Sequence, residues 1–275
     1  MGIIIYLPIN LTEFWHSVQY RHGAINIYVM ASHLKNNNKE GITMGIVTTS
    51  IGFEMLLRWG HFLGGITWIG LLYYFNFVQT EYFKEAEASA KSDAIQKLVP
   101  RALWWFRWGA MFTLITGLGI FAIRGGGMSI DIYVGALLGL VMFLNVWLII
   151  WPNQKIVIAS ATQVANGGDA VPEAAGALTT AGLASRTNAL FSIPMLFFMG
   201  ASSHYPHSFK LLALVVAIIV ILALEYNGAY PAIKNINALK KLPAAGKLGP
   251  CASITGVIHC GLGLTVVLFL ILDLL

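Results

Sequence analysis

The fold is decided by residues 51–77, which read IGFEMLLRWGHFLGGITWIGLLYYFNF and are apolar enough to lie in lipid. Within them Glu54, Arg58 and His61 recur at i, i+4 and i+7, so one helical face carries all three, and Trp68 continues that face. An ionisable group in a membrane span costs roughly 2.5 to 3.5 kcal/mol on insertion scales, and such groups usually face protein or a cofactor. The stretch therefore predicts a membrane helix with something polar or metallic bound beside it.

Composition places the whole chain among polytopic membrane proteins. Of its 275 residues, 57% are hydrophobic and only 11% are charged, whereas soluble domains carry about 25% charged residues. The net charge of +5 does not indicate nucleic-acid binding, because the basic residues are scattered over loops and helix ends. The two cysteines, Cys251 and Cys260, form no CxxC or CxxCH motif, so the sequence encodes neither a thiol redox pair nor a covalently attached haem c.

Six stretches are long enough to cross a bilayer core of ~30 Å, which needs about 20 helical residues. They are residues 51–77, 102–123, 132–151, 187–202, 209–224 and 252–275. The sequence thus predicts an all-α transmembrane helix bundle of about six spans, with five to eight allowed. Residues 1–50 are interrupted by polar groups such as Glu13 and Arg21, so we expect an interfacial segment there and a transmembrane domain over 51–275.

The distribution of lysine and arginine predicts the orientation of the chain. The first, third and fifth connections between the predicted spans hold more basic residues than the N-terminal region and the other two connections. Examples are Lys97, Arg186 and Lys247. Under the positive-inside rule, both termini then lie outside the membrane, with the odd-numbered connections inside.

Two histidines, His61 and His259, lie within predicted spans. An imidazole in lipid needs a partner, and a haem iron is one of the few good ones. At 1.5 Å per residue both histidines would lie near the middle of a ~30 Å core, as two axial ligands of one haem b require. We therefore expect haem b with His61 and His259 as its metal ligands. The alternative is that each histidine only forms a hydrogen bond across a helix interface.

Two arginines and a tryptophan are further candidates for a cofactor site. Arg58 and Arg107 each lie one to two turns inside a predicted span and could bind a haem propionate or an anionic substrate. Alternatively they reach to lipid headgroups, with Glu54 neutralising Arg58. Trp68 lies deeper and could pack on a cofactor, although core filling also explains it. Residues 145–155, NVWLIIWPNQK, end the third span with several hydrogen-bond donors, which suggests a headgroup, quinone or propionate site.

These residues also carry a resemblance to a known family. RWGH at residues 58–61, followed by GITWIG at 65–70, resembles the first-helix motif of the membrane domain of bacterial membrane-bound urate oxidases. WPNQK at 151–155, and the stretch 193–206 from IPM to SHYP, resemble two further motifs of that domain. The resemblance covers most of the chain, from residue 51 onward. It implies a multi-span helical domain that passes electrons from urate to the respiratory chain.

The resemblance also bears on the electron acceptor and on the second haem ligand. Members of that family join the membrane domain to a C-terminal cytochrome c domain. No CxxCH motif occurs here, so the resemblance implies that an external cytochrome c, or another subunit of a membrane complex, receives the electrons. His204 lies inside the third matching motif, which makes it the alternative second haem ligand.

Two functions from different classes follow from these observations. The first is a membrane redox protein, either an oxidoreductase or an electron-transfer subunit, that binds haem b or a quinone and passes electrons to an external cytochrome c or the respiratory chain. The second is a cofactor-free accessory subunit of a larger membrane oxidoreductase complex. A transporter ranks third, because the chain lacks paired Gly/Pro-broken helices in two matching halves.

Overall fold

The structure, a computed structural model, describes residues 45–275, and these residues form helices without a β-strand. The chain divides into two units, Met1–Thr49 and Ser50–Leu275. Of the first unit only residues 45–49 are described, and they contain one short helix, α1 (Gly45–Thr48). The interfacial segment predicted for residues 1–50 therefore lies almost wholly outside the described residues. The predicted all-α class is confirmed.

The second unit consists of long helices, several of which continue through a π-helical turn. The helices are α2 (Ser50–Tyr73), α3 (Thr80–Glu85), α4 (Ala88–Asp93), α5 (Val99–Arg124), α6 (Ile130–Leu144), α7 (Trp151–Ala165), α8 (Ala174–His204), α9 (Leu211–Ile233) and α10 (Ile254–Leu274). The π-helical turns are Tyr74–Gln79, Ala94–Leu98 and Asn145–Ile150. Each of the six predicted spans falls on one of these helices or on a helix with its π-helical turn.

Four helical segments in the described part of the chain are long and apolar enough to cross a membrane. They are Ala88–Arg124, Ile130–Ala165, Leu211–Ile233 and Ile254–Leu274. These segments confirm four of the predicted spans and a multi-pass membrane protein. The other two predicted spans are helical, in α2 and α8, but these helices are not among the four segments. The third predicted span also runs further than residue 151, because the helix continues through α7.

Helix α8 buries about half of its residues inside the bundle. It packs against α6, α7, α9 and α10, and its buried residues include the polar side chains of Arg186, Asn188 and Ser192. Arg186, which the positive-inside count assigns to the third connection, lies in the helical part of this connection, inside α8, and is 8% exposed. The buried part of a helix can hold polar residues that a lipid-facing part cannot, and α8 also has exposed apolar side chains, such as Leu196 at 50%.

Helices α2 and α5 form a close pair. An added Cβ on Gly64 would lie 2.7 Å from Thr113 Oγ1 and 3.2 Å from the Gly109 carbonyl oxygen, and one on Gly109 would lie 3.1 Å from the Trp68 backbone nitrogen. The two backbones can approach this closely because neither glycine has a side chain. The outward faces of the pair carry large apolar residues, among them Phe62, which is 68% exposed, as a lipid-facing surface should.

The π-helical turn Asn145–Ile150 joins α6 to α7, so the three segments form one continuous helix. Pro152 lies in the first turn of α7 and has no N–H, so it cannot donate to the Leu148 carbonyl one turn earlier. The Trp151 N–H instead bonds the Val146 carbonyl, five residues back. Such turns accommodate a local mismatch in the hydrogen-bond ladder and are frequent at functional sites.

Candidate polar site in the helix bundle

The best-connected polar group inside the bundle joins three helical segments. Asn145, at the start of the π-helical turn, donates from Nδ2 to Asn188 Oδ1 on α8 at 2.9 Å and to Glu225 Oε2 on α9 at 3.0 Å. Asn188 in turn donates to the Met142 carbonyl oxygen at 2.9 Å. Asn145 is 2% exposed and Asn188 is fully buried. We call Asn145, Asn188 and Glu225 the polar triad.

The triad places the Glu225 carboxyl group within a span, where its hydrogen bond among the described residues comes from the neutral Asn145 amide. An intramembrane ionisable group is costly, and such groups usually mark a proton, ion or substrate pathway. Among the described residues, no arginine or lysine forms an ion pair with Glu225. The arrangement can therefore hold Glu225 in place while leaving its charge uncompensated, which suits a group that exchanges a proton or binds a polar ligand.

A second buried pair joins α6 to the connection between α8 and α9. Asp131 is fully buried. Its Oδ2 accepts the His207 backbone N–H at 2.8 Å, and its Oδ1 lies 2.8 Å from His207 Nδ1. The rings of Tyr205 and Phe269 pack around His207, with centroids 5.5 and 5.0 Å away. The carboxylate thus fixes both the loop and the orientation of the imidazole.

The other nitrogen of His207 has no hydrogen-bond partner in the part of the chain that the structure describes. His207 Nε2 is buried, and the nearest carboxylate oxygen, Asp273 Oδ1 on α10, lies 3.9 Å away. An imidazole held at Nδ1 by a carboxylate, with Nε2 free, is the arrangement used by many ligating and proton-transferring histidines. The pair therefore adds a candidate site at the bundle end that the sequence predicts to face outside.

Of the predicted ligands, His61 lies at the interface of α2 and α5. Its Nδ1 is 3.2 Å from Thr116 Oγ1, and a Cβ added to Gly117 would lie 3.1 Å from its Cε1. The imidazole is half-buried, and Thr116 holds one of its nitrogens, which leaves Nε2 for another partner. This geometry is compatible with both sequence hypotheses, a haem ligand or a hydrogen bond across a helix interface.

The structure does not bring His259 and His61 together. His259 is exposed on α10. Tyr73 Oη lies 2.9 Å from Ser192 Oγ on α8, and Gly261 packs against the same turn of α8. Tyr73 and Gly261 therefore lie at a similar depth along the bundle. His61 lies twelve residues before Tyr73, a distance of ~18 Å along a helix axis. His259 lies beside Gly261, so the two imidazoles are at different depths, and haem ligation by either one stays a prediction.

The alternative ligand, His204, lies nearer to the depth of His61. It is the last residue of α8, twelve residues beyond Ser192, and α8 runs antiparallel to α2, since Asn76 bonds Ser185 while Tyr73 bonds Ser192. By the same measure of ~1.5 Å per residue, His204 reaches the level of His61. Its ring is exposed, and Nδ1 donates to the Gly200 carbonyl oxygen at 3.0 Å.

Arg58 is paired with a carboxylate within its own helix. Glu54 Oε1 accepts from Arg58 Nε at 2.7 Å and also from Arg124 Nε at 2.7 Å. The structure therefore supports the alternative in which Glu54 neutralises Arg58, and it links α2 to the end of α5, where Arg124 is the last residue. Arg58 keeps two guanidinium nitrogens beyond this bond for a further ligand.

Arg107 and Trp68 are both buried, at 8% and 3% exposed. The Arg107 guanidinium carbon lies 3.3 Å from the ring centroid of Trp151, and Arg107 Nε has no hydrogen-bond partner among the described residues. The Trp68 Nε1 group is likewise buried without a partner there. In the 145–155 segment, Asn153 donates to the Ile149 carbonyl of its own helix at 2.8 Å, so this amide serves the helix.

The described residues contain no group of three or more His, Cys, Asp or Glu side chains arranged to hold a metal ion. Sequence reasoning missed the polar triad and gave little weight to His207. The available signals were isolated: an asparagine or a glutamate within an otherwise apolar segment, and an aspartate two residues into α6. None of these signals indicates its partner, because the bonds join residues more than forty positions apart.

Comparison with known proteins supports the family resemblance expected from the sequence. No curated protein and no solved structure matches the chain. The first predicted motif, at 58–70, lies outside the part of the chain that a protein-family comparison matches, whereas the motifs at 151–155 and 193–206 lie inside it. That comparison confirms the predicted resemblance: residues 126–242 match the family described as urate oxidase N-terminal, and over this part the chain is similar to the membrane domain of that family.

Proposed function

We propose that the chain is an integral membrane redox protein that passes electrons to an external cytochrome c or to the respiratory chain. It lies in the bacterial inner membrane with both termini outside. The observation that carries the proposal is the match of residues 126–242 to the urate oxidase N-terminal family, whose membrane domain the sequence motifs resemble. The matched part contains the whole polar triad and the Asp131–His207 pair.

The polar triad supports this proposal through proton chemistry. Oxidation of a small organic substrate or reduction of a quinone exchanges protons as well as electrons. A carboxyl group inside the bundle can accept or release those protons if no cation neutralises it permanently. Glu225, whose hydrogen bond among the residues that the structure describes is to the Asn145 amide, has that property.

The proposed cofactor is haem b, with His61 as the first ligand. The Thr116 hydroxyl holds His61 Nδ1, and a ligating histidine is usually oriented in this way through its other nitrogen. His204 and His259 remain the two candidates for a second ligand. Arg107, buried with an unpartnered Nε, is available for a propionate. Bound haem would supply one-electron transfer, and a quinone is the alternative electron carrier.

The test is the absorption spectrum of the purified full chain before and after dithionite, combined with a pyridine-haemochrome assay. We expect a b-type spectrum that His61→Ala abolishes. His204→Ala and His259→Ala, measured in parallel, identify the second ligand, because one of them should lose haem and the other should keep it. Absence of haem from the wild-type protein would refute the cofactor assignment.

A cofactor-free accessory subunit is the second candidate function. The observation that favours it is that the ionisable groups of α2 are already engaged within the chain, Arg58 by Glu54 and His61 by Thr116. This candidate predicts that the protein purified from its native membrane carries a larger oxidoreductase partner and has no chromophore of its own. Native mass spectrometry of the solubilised membrane distinguishes the two functions.

A further inference from the structure

A cavity of about 330 Å³ lies where α8, α9 and α10 meet the connection between α9 and α10. Its walls are mainly apolar and include Leu183, Leu190 and Leu264, which are 4%, 8% and 7% exposed. Two cations also line it, Arg186 from α8 and Lys247 from the connection. A pocket of this size with apolar walls and a few polar groups is typical of a small-molecule site.

Arg186 is a buried cation without a counter-ion. It is 8% exposed, and its Nη1 is buried without a hydrogen-bond partner. Among the described residues no carboxylate lies within ion-pair distance of its guanidinium, and the acidic group whose field reaches it, Glu81, has both oxygens bonded by Lys84 at 2.8 Å. Arginine stays charged at all relevant pH values. A buried unpaired charge costs several kcal/mol, and a bound anion would remove that cost.

The segment that carries Lys247 forms the rim of the cavity, and side chains of α9 hold this segment in place. Asn227 Oδ1 accepts the backbone N–H groups of Gly246 and Lys247 at 2.9 and 3.1 Å, and Asn227 Nδ2 donates to the Lys247 carbonyl at 2.8 Å. Tyr226 Oη donates to the Pro243 carbonyl at 2.8 Å. A rim fixed by four hydrogen bonds is organised before any ligand binds, which lowers the entropic cost of binding.

The Cys251 thiol in the wall does not neutralise Arg186. Cys251 and Cys260 are free thiols that line the cavity. Burial, with a smaller effect from Cys260, raises the pKa of the Cys251 thiol to about 11, so this group is neutral at physiological pH. The positive charge in the cavity therefore persists.

We infer that this cavity binds a phosphate-bearing anion with an apolar body, its phosphate on Arg186 and Lys247 and its body along the three leucines. The Arg186 guanidinium offers the planar fork that matches phosphate oxygens. The cavity lies between the end of α9 and the start of α10, where the chain leaves the span, and basic pockets at this level between helices bind anionic headgroups. Two sources share this chemistry: an anionic phospholipid of the surrounding leaflet and a soluble phosphate ester. The inference does not depend on the redox proposal.

The test uses the purified full chain in neutral detergent and native mass spectrometry. The probes are phosphatidylglycerol and phosphatidylcholine with identical acyl chains, followed by competition with inorganic phosphate. We expect retention of phosphatidylglycerol over phosphatidylcholine and a loss of affinity of at least about tenfold in Arg186→Gln, since hydrogen bonds to charged groups contribute that much. Arg101→Gln is the matched control, because Arg101 is exposed and does not line the cavity.

Each outcome of this test decides the inference. Displacement of the lipid by inorganic phosphate, or stabilisation of wild type but not Arg186→Gln by phosphate alone, would support the site and identify a soluble ligand. Equal binding of the two lipids, or equal losses in Arg186→Gln and Arg101→Gln, would overturn it. If Arg186→Gln does not fold, Lys247→Gln at the exposed rim must show a several-fold loss with wild-type stability, and wild-type affinity in that variant would also overturn the inference.

Discussion

The α2–α5 pair and the α6–α9 region differ in where their polar groups find partners and in how deeply those bonds are buried. The two side-chain bonds between α2 and α5, Glu54–Arg124 and His61–Thr116, are exposed or part-buried. In the pair, Arg58 bonds Glu54 one turn away in the same helix, and Thr113 bonds the Gly109 carbonyl one turn back. In the α6–α9 region, Asn145 bonds side chains on two other helices, forty-three and eighty residues away in the chain. The first region is held by close backbone packing, and the second by buried polar bonds between helices.

This difference determines where loss of a polar group should matter. A local bond on a half-exposed face can be replaced by solvent or by a headgroup, so its loss costs little. A bond between buried helices leaves an unpaired group in a low-dielectric interior when one partner is removed. The most conspicuous motif, RWGH at 58–61, thus lies in the region that should tolerate substitution of charged groups, and the less conspicuous residues lie in the region that should not.

The largest effect is expected for Asn145→Leu. This change leaves Asn188 Oδ1 and the Glu225 carboxyl without their shared donor, in a site where Asn145 is 2% exposed. Removing one partner of a buried polar group that includes a carboxyl costs about 3 to 5 kcal/mol. The free energy of unfolding, measured by titration with a denaturing detergent, should fall by this amount.

The matched control for Asn145→Leu is Thr116→Val in the α2–α5 pair. Valine keeps the shape of threonine and removes the hydroxyl near His61 Nδ1, so we expect a loss of less than about 1.5 kcal/mol, as for one ordinary hydrogen bond. Equal losses in the two variants would contradict the distinction between the two regions.

Asp131→Ala should have the next largest effect. It removes both acceptors of His207, whose backbone N–H and Nδ1 each lie 2.8 Å from the carboxylate. Two buried donors without partners correspond to about 2 to 3 kcal/mol. The exposed Asp169 provides the control, because its side chain lies at the surface and Asp169→Ala should leave stability unchanged. A silent Asp131→Ala would show that the loop does not depend on this pair.

The same difference between local and long-range contacts explains which features of each region could be predicted from the sequence. Helix positions and the membrane class depend on composition and period, which are local. Three predicted spans, 51–77, 102–123 and 252–275, begin and end close to a helix of the structure or its π-helical turn. The pairing of Glu54 with Arg58 was open to prediction because i and i+4 positions are always neighbours in a helix. The polar triad was not, since nothing in the sequence relates Asn145 to Asn188 or Glu225 until the helices pack. The depth estimate for His259 assumed ideal span boundaries, whereas contacts between helices determine depth in the bundle, so its pairing with His61 stays a prediction.

Gly64→Ala tests the backbone packing of the α2–α5 pair and should have a moderate effect. The new methyl group would lie 2.7 Å from Thr113 Oγ1 and 3.1 Å from the Thr113 backbone nitrogen, so the two helices must separate. Overpacking of this kind costs typically 1 to 3 kcal/mol, and we expect about 2 kcal/mol. The readout is the free energy of unfolding under the conditions used for Asn145→Leu.

The neighbouring glycine is the control for this packing prediction. A Cβ on Gly65 would meet no atom within 4 Å, so Gly65→Ala should be neutral or should stabilise the protein by up to about 1 kcal/mol through helix propensity. If Gly64→Ala and Gly65→Ala behave alike, close backbone contact does not hold the pair together.

The smallest loss of stability is expected when one of the two arginines that bond Glu54 is removed, although Glu54 and Arg58 belong to the stretch of sequence that decides the fold. Both Arg58 and Arg124 donate to the same oxygen, Glu54 Oε1, at 2.7 Å, and the two arginine side chains are 36% and 51% exposed. Because either arginine can neutralise Glu54 when the other is removed, Arg58→Ala and Arg124→Ala should each cost less than about 0.5 kcal/mol. The double variant should cost more than the sum of the two, up to about 1 kcal/mol, which is the non-additivity expected of residues that share a partner. A loss of haem or turnover in Arg58→Ala alone, with Arg124→Ala unaffected, would contradict this equivalence and would assign Arg58 to the cofactor or substrate instead.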